Sequence, residues 1–236
     1  MGGSTNRINI VIASALAAAF IGRAVSAAPA SRAAIRIDVH DYVRLPAEAV
    51  ARAQLLVTQI YRTIDVDTCW GRTERSEQTH CGDRADSNGD RLFILLLNSE
   101  MSERLGVADN VAGVAAVAAP GGGRIAYVLY DRVTVAARDA AVNPMHVLGV
   151  VMAHEIAHLL LPPHPHSLTG LMRPRWNAVE FRESTLSSRF WFNEIQANQI
   201  RHRLRQGDAS LRAMQDERDT TLPGAPEPPE AVEIRP

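Results

Sequence analysis

Lysine is missing from this chain altogether: all 25 of its basic residues are arginine. That excludes any mechanism built on a lysine Schiff base or a lysine general base. An excess of one charge is missing too. The formal net charge is -1, arginines and acidic residues are interspersed, and no basic stripe marks DNA or RNA as a partner. Cysteine is limited to Cys69 and Cys81. No apolar run is long enough to cross a bilayer: the stretch from Ile8 to Ile21 holds about 14 residues where roughly 20 are needed. With Arg7 before it and Val25-Ser26-Ala27-Ala28 after it, that stretch reads as a secretory signal cleaved after Ala27. The expectation is a secreted or periplasmic protein with no stable membrane insertion once the signal is removed. In such a compartment the cysteine pair reads as a disulfide closing a short polar loop.

What the chain does have is enough apolar side chain for a core: 46% of its 236 residues are hydrophobic and 22% charged, as in ordinary soluble domains. Its length fits one domain. The expected organisation is a signal at 1–27, a single domain at 28–219, and a disordered tail rich in proline and glutamate at 220–236. Ala34 to Val39 alternates as a strand, and Pro46 opens a helix with Val50, Ala53, Val57, Ile60 and Tyr61 on one face. Leu92 to Leu97 is continuously apolar and suits a strand at the centre of the sheet, buried on both faces. Val111–Ala118 and Arg124–Tyr130 read as a hairpin around Pro120-Gly121-Gly122-Gly123. Asp86-Ser87-Asn88-Gly89-Asp90 reads as a surface turn, because its glycine falls one place too early for an EF-hand.

From Pro144 to Leu161 the pattern is helical and almost wholly apolar, and its polar residues include His154, Glu155 and His158. Histidines four apart on a helix project from the same face and can reach one ion about 2.0–2.1 Å from each nitrogen. Glu155 then lies beside the remaining coordination position, where it can take a proton from metal-bound water. Burying these three groups without partners would cost several kcal/mol, on the order of the usual penalty for desolvated polar groups, whereas a zinc ion would satisfy them.

Residues 154–172, H-E-I-A-H-L-L-L-P-P-H-P-H-S-L-T-G-L-M, resemble the metzincin metallopeptidases, whose pattern is H-E-x-x-H-x-x-G-x-x-H followed by a methionine turn. His154, Glu155, His158 and His164 fall on that pattern, and Met172 falls where the turn's methionine forms a floor beneath the metal. The family's glycine is Leu161 here, so the return of the chain to the metal must be made differently. Pro162 and Pro163 stop the helix, and Pro165 holds His164 extended. The stretch His166-Ser167-Leu168-Thr169-Gly170-Leu171-Met172 also resembles a group of small secreted bacterial proteins in which the histidine of H-S-x-x-G-(L/I)-M looks like the ligand. That likeness takes in the Ile125–Arg132 strand and the Phe192–Arg201 helix as well. His166 is therefore preferred as third ligand, with His164 as the alternative.

The resemblance implies an α+β, zincin-like fold: a mixed twisted sheet, an active-site helix, a Met-turn and a C-terminal helix. It implies one catalytic Zn²⁺ and a peptide or protein substrate, cut by Glu155-assisted attack of zinc-bound water. The substrate would pair with an edge strand, for which Arg124–Tyr130 is the expectation. The other class of function is a non-catalytic secreted zinc-binding or partner-binding module on the same fold. Glu194 offers a gluzincin-type third ligand, although Asn193 and Glu194 more simply cap a final helix expected over about 194–205. His146 lies two turns before His154, too far along the axis to share its ion. His40, His80 and His202 read as surface or capping residues, Trp176 and Tyr130 as core or cleft.

Overall fold

The computed structural model describes residues 32–71, 91–116, 124–184 and 190–221. The expected signal, His80, Cys81, the 86–90 turn, the 120–123 loop and the chain beyond Thr221 lie outside the described residues. Strand β1 (Ala33–Asp41) alternates as its sequence requires, burying Ala33, Ile35 and Ile37. Helix α1 (Ala47–Arg62) follows Pro46 and buries Val50, Ala53, Val57, Ile60 and Tyr61, the five positions picked out by spacing. It is the crossover that a parallel return demands, for strand β2 (Val66–Trp70) pairs parallel to β1.

Strand β3 (Arg91–Leu97) pairs parallel to β1 on its other side. Helix α2 (Ser99–Leu105) leads to strand β4 (Gly113–Ala116), which is antiparallel to strand β5 (Ile125–Leu129), itself parallel to β3. The sheet order is β2-β1-β3-β5-β4. β3 is therefore central, as its apolar run suggested. Leu92, Ile94, Leu96 and Leu97 are buried, while Phe93 and Leu95 are half-buried, so its second face is covered only in part. The expectation that Arg124–Tyr130 forms the edge is overturned: β5 is bonded on both sides, to β3 and β4, and the edge strands are β4 on this side of the sheet and β2 on the other.

Helix α3 (Tyr130–Ala140) starts directly at the end of β5, so the strand stops short of the expected Arg132. Helix α4 (Pro144–Leu160) begins with Asn143, whose side chain accepts from the Met145 amide at 2.8 Å, and with proline in its first turn, both ordinary start signals. Every residue from Val147 to Ala157 is buried, because the helix packs against α1 and α3 and beneath β5 and β4. Helices α5 (Ala178–Ser184) and α6 (Glu194–Thr221) complete the chain's described part. α6 starts where expected but runs on to Thr221. The architecture is the mixed α+β one expected of a zincin-like chain. Among the described residues no helix is long and apolar enough to cross a membrane.

Tyr61 ties α1 to α4. It is fully buried, its ring lies 5.2 Å from that of Phe192, and its hydroxyl donates to the Ala153 carbonyl at 3.1 Å, one residue before His154. Tyr61→Phe keeps the packing and removes the bond, so it should cost about 1 kcal/mol, whereas Tyr61→Ala should cost about 3–5 kcal/mol. Urea denaturation of both variants checks this; equal losses would mean that the hydroxyl, not the ring, ties the helices together.

Candidate metal centre

His154 and Glu155 are the only polar side chains in the buried Val147–Ala157 run, and they are 6% and 5% exposed. One turn later His158 is half-buried at the helix end. The nearest nitrogens are Nε2 of His154 and Nε2 of His158, 3.0 Å apart. Nδ1 of His154 lies 2.8 Å from the Leu171 carbonyl oxygen. A carbonyl can only accept, so Nδ1 carries the proton and Nε2 presents its lone pair to the cluster.

His166 completes the group. Its ring is 5.6 Å from that of His154 and 4.8 Å from that of His158, and the three ligand nitrogens lie within 4.8 Å of one another. Nitrogens on one tetrahedral zinc ion stand roughly 3.3 Å apart, given bonds of 2.0–2.1 Å. The His154–His158 pair is already close to that spacing, and the exposed His166 stands beside both. A donor set of three neutral imidazoles fits zinc. Burial keeps the two helical ones neutral, holding His154 down to about 3 and His158 down to about 4; the charge of His166, and for His154 also that of His158, pushes the same way.

The chain returns to the helix without a glycine at position 161. Leu161 is extended (φ -90, ψ 157) and buried, the geometry preferred before proline, and Pro162-Pro163 prevents another turn. The reversal comes at His164, whose φ of 61 is left-handed, not the extended value expected ahead of Pro165. His164 is exposed and is not among the clustered histidines. From His166 on, each element of the motif has a job. The Ser167 amide donates to the Met172 carbonyl at 2.8 Å, and the Ser167 hydroxyl donates to the Thr169 carbonyl at 2.8 Å. Gly170 has φ 78, and a side chain there would overlap the Trp191 carbonyl. The Leu171 amide donates to that same carbonyl at 2.8 Å. Met172 is fully buried.

Glu155 points to β4. The Ala115 amide donates to its carboxylate, yet desolvation outweighs that bond and raises its pKa to about 8. A Cβ on Gly113 would lie 2.5 Å from Glu155 Oε1 and 2.6 Å from its Cγ, so only glycine lets the strand pass this close. The Leu129 amide donates to the Ala112 carbonyl. By the alternation of an antiparallel pair, Gly113 and Ala115 then direct their backbone groups away from β5. One of these outward amides is the Ala115 N–H that holds Glu155.

Trp176 stands edge-on to His154, with ring centroids 4.8 Å apart and planes at 81°. Its indole nitrogen is buried with no partner among the described residues. Glu194 is the exposed first residue of α6 and is not in the cluster, while Asn193 caps that helix by accepting from the Gln196 amide at 2.9 Å. His146 packs its ring against Phe190, and His40 against Phe93. His202 contacts Gln206 at 2.9 Å on α6. Tyr130 opens α3. Cys69 lies buried on β2, and its expected partner Cys81 is outside the described residues. Sequence reasoning missed the Leu171 carbonyl and the Gly113 passage, both of which are backbone features.

No protein-family model and no curated protein matches the sequence. Among solved structures, the chain is similar to the crystal structure of metalloproteinase-II from Bacteroides fragilis, with a TM-score of 0.41 and 12% sequence identity. The match covers 73% of this chain and spans 53% of that one.

The buried titratable groups predict how the metal-free protein responds to pH. In the unfolded chain imidazoles titrate near 6.5, so between about pH 4 and 6.5 unfolding takes up protons on His154 and His158, and stability falls as pH drops through that window. Glu155 acts oppositely. It is protonated in the fold and ionised in the unfolded chain between its ordinary 4.5 and about 8, so it withdraws stability as pH rises through that range. With two histidines against one glutamate, metal-free stability should peak near pH 6.5, measured as urea midpoint in the presence of chelator; a flat profile from pH 4.5 to 8 would contradict it.

Proposed function

We propose that this protein is an exported zinc endopeptidase of the metzincin kind, in which His154, His158 and His166 hold the ion and Met172 forms the floor beneath it. The observation that carries this reading is the convergence of those three histidines, the first of them next in sequence to Glu155, whose carboxylate lies against the edge strand β4. The disulfide of Cys69 with Cys81 and removal of residues 1–27 belong to the same proposal, since an oxidising compartment suits both.

A bound zinc ion supplies Lewis acidity, acidifying water and polarising a carbonyl. Glu155 supplies the proton traffic: its carboxylate takes a proton from water and hands it to the departing amine. Burial raises its pKa to about 8 in the metal-free chain, and the positive charge of a bound ion would favour the ionised carboxylate that the first half of that task needs. The peptide lies extended along β4, the edge strand beside the cluster, so that its scissile bond passes Glu155. Gly113 keeps that passage close, and the Ala115 amide fixes the carboxylate.

The test is digestion of a denatured protein mixture by the zinc-loaded, oxidised chain beginning at Ala28, read by mass spectrometry beside Glu155→Gln. We expect both proteins to hold one zinc ion and only the wild type to cleave, with loss in the variant of at least about 100-fold, the usual scale for removing a general base. Zinc in both with cleavage in neither would replace this reading with a zinc-binding module on the same fold.

A further inference from the structure

The third histidine sits in a stretch with few means of holding it still. His164, Pro165, His166 and Ser167 are exposed or half-buried, they belong to no helix or strand, and Pro165 has no amide to donate. One buried side chain reaches this stretch from far along the chain. Gln196, on the first turn of α6 and 5% exposed, donates from Nε2 to the Pro165 carbonyl at 2.9 Å and to the Ser167 hydroxyl oxygen at 3.3 Å. These two acceptors flank His166 on either side.

The orientation of the Gln196 amide follows from its partners. Its Oε1 accepts from the Asn193 amide at 3.1 Å, while Asn193 Oδ1 accepts from the Gln196 amide at 2.9 Å, the reciprocal pair of a capping box. A backbone N–H only donates and a proline carbonyl only accepts. Turning the amide over would set donor against donor at Asn193 and acceptor against acceptor at Pro165. Both donor hydrogens are therefore committed to the loop, and the oxygen to the helix cap. A residue that only capped the helix would need no second donor aimed at the ligand loop.

We propose that Gln196 is the positioning residue for His166, clamping the backbone before it and the side chain after it so that the imidazole is held where a metal can use it. The inference rests on the reading of His166 as a ligand and deepens it: the metal site is built by two helices, with α4 supplying two imidazoles and α6 holding the third. Groups that orient metal ligands typically contribute about 10–100-fold to metal affinity.

Gln196→Glu separates the two jobs, because glutamate at this position still completes a capping box while its carboxylate no longer donates to Pro165 and Ser167. Gln196→Met keeps the volume and removes both jobs, which covers the case in which a buried glutamate picks up a proton and restores the donor. Each is made in the wild-type and in the His166→Ala background. The readouts are Co²⁺ affinity and the visible spectrum of bound Co²⁺, with circular dichroism to confirm that each chain is folded. We expect either change to weaken Co²⁺ binding about 10–100-fold and alter the spectrum in the wild-type background, with no further loss where His166 is already absent. Equal weakening in both backgrounds overturns the proposal, since it would mark a structural role independent of His166. Unchanged affinity and spectrum in both variants overturn it as well. A wild-type chain that binds no Co²⁺ removes the metal reading and this inference with it, and is distinguishable from a wild-type chain that binds while the variants bind equally well.

Discussion

The hydrogen bond from His154 Nδ1 to the Leu171 carbonyl is the constraint on which the rest of the site depends. It joins the most buried helix of the core to an irregular loop that has no secondary structure to locate it. It also decides the chemistry of the imidazole, since a proton committed to Nδ1 leaves Nε2 as a lone pair. From Leu171 the dependence runs outward along the chain. Met172 follows it into the core, and the Met172 carbonyl accepts from Ser167, so His166, the next residue back, is brought towards the helix. The Ser167–Met172 bond closes the loop on itself, and the Leu171 amide ties it to the Trp191 carbonyl.

Electrostatics and packing pull in opposite directions at this place, and the fold settles the conflict by putting complementary groups together. Burial disfavours charge on His154, His158 and Glu155 alike. For the histidines the neutral state is the one in which a cation can be bound. For the glutamate of the metal-free chain the outcome is a pKa raised to about 8. The same desolvation thus acts on both halves of the site, and it comes from a helix whose neighbours are valine, leucine, isoleucine, alanine and methionine.

Much of this was legible in the chain. Period-two burial in β1, the α1 stripe, the central place of β3, the β4–β5 pair and the extent of α4 follow from local patterns: alternation in β1, one apolar stripe in α1, and continuous apolar runs in β3 and in α4, which is buried all round. The preference for His166 over His164 also follows from local chemistry, through the missing glycine and the prolines. α2 carried readable signals that went unused: Asn98 caps it, accepting from the Met101 amide at 3.0 Å, and Gly106 ends it with φ 65. α3 did not announce itself, since it begins straight after β5 with no capping side chain and contains Val133, Thr134 and Val135, residues that suit strands better. The identity of the edge strand was not legible either. Which of two paired strands faces solvent depends on where β3 docks, a contact between distant parts of the chain. The Gln196 clamp is of the same kind: the Asn193-x-x-Gln196 cap is local, but its reach to Pro165 spans 31 residues.

With leucine rather than glycine at position 161, the backbone reversal comes later in the chain. A left-handed residue at the helix end would turn the chain at once and deliver an imidazole a few residues later. Here Leu161 stays extended and adds its side chain to the core, and the left-handed conformation passes to His164. A non-glycine residue in that conformation costs roughly 1 kcal/mol or somewhat more, which the closed loop from Ser167 to Met172 and the Gln196 bonds are placed to offset. Having become the turn, His164 is exposed, and the histidine that joins His154 and His158 is His166, two residues later. The spacing of the clustered histidines is thus a consequence of where the backbone can reverse.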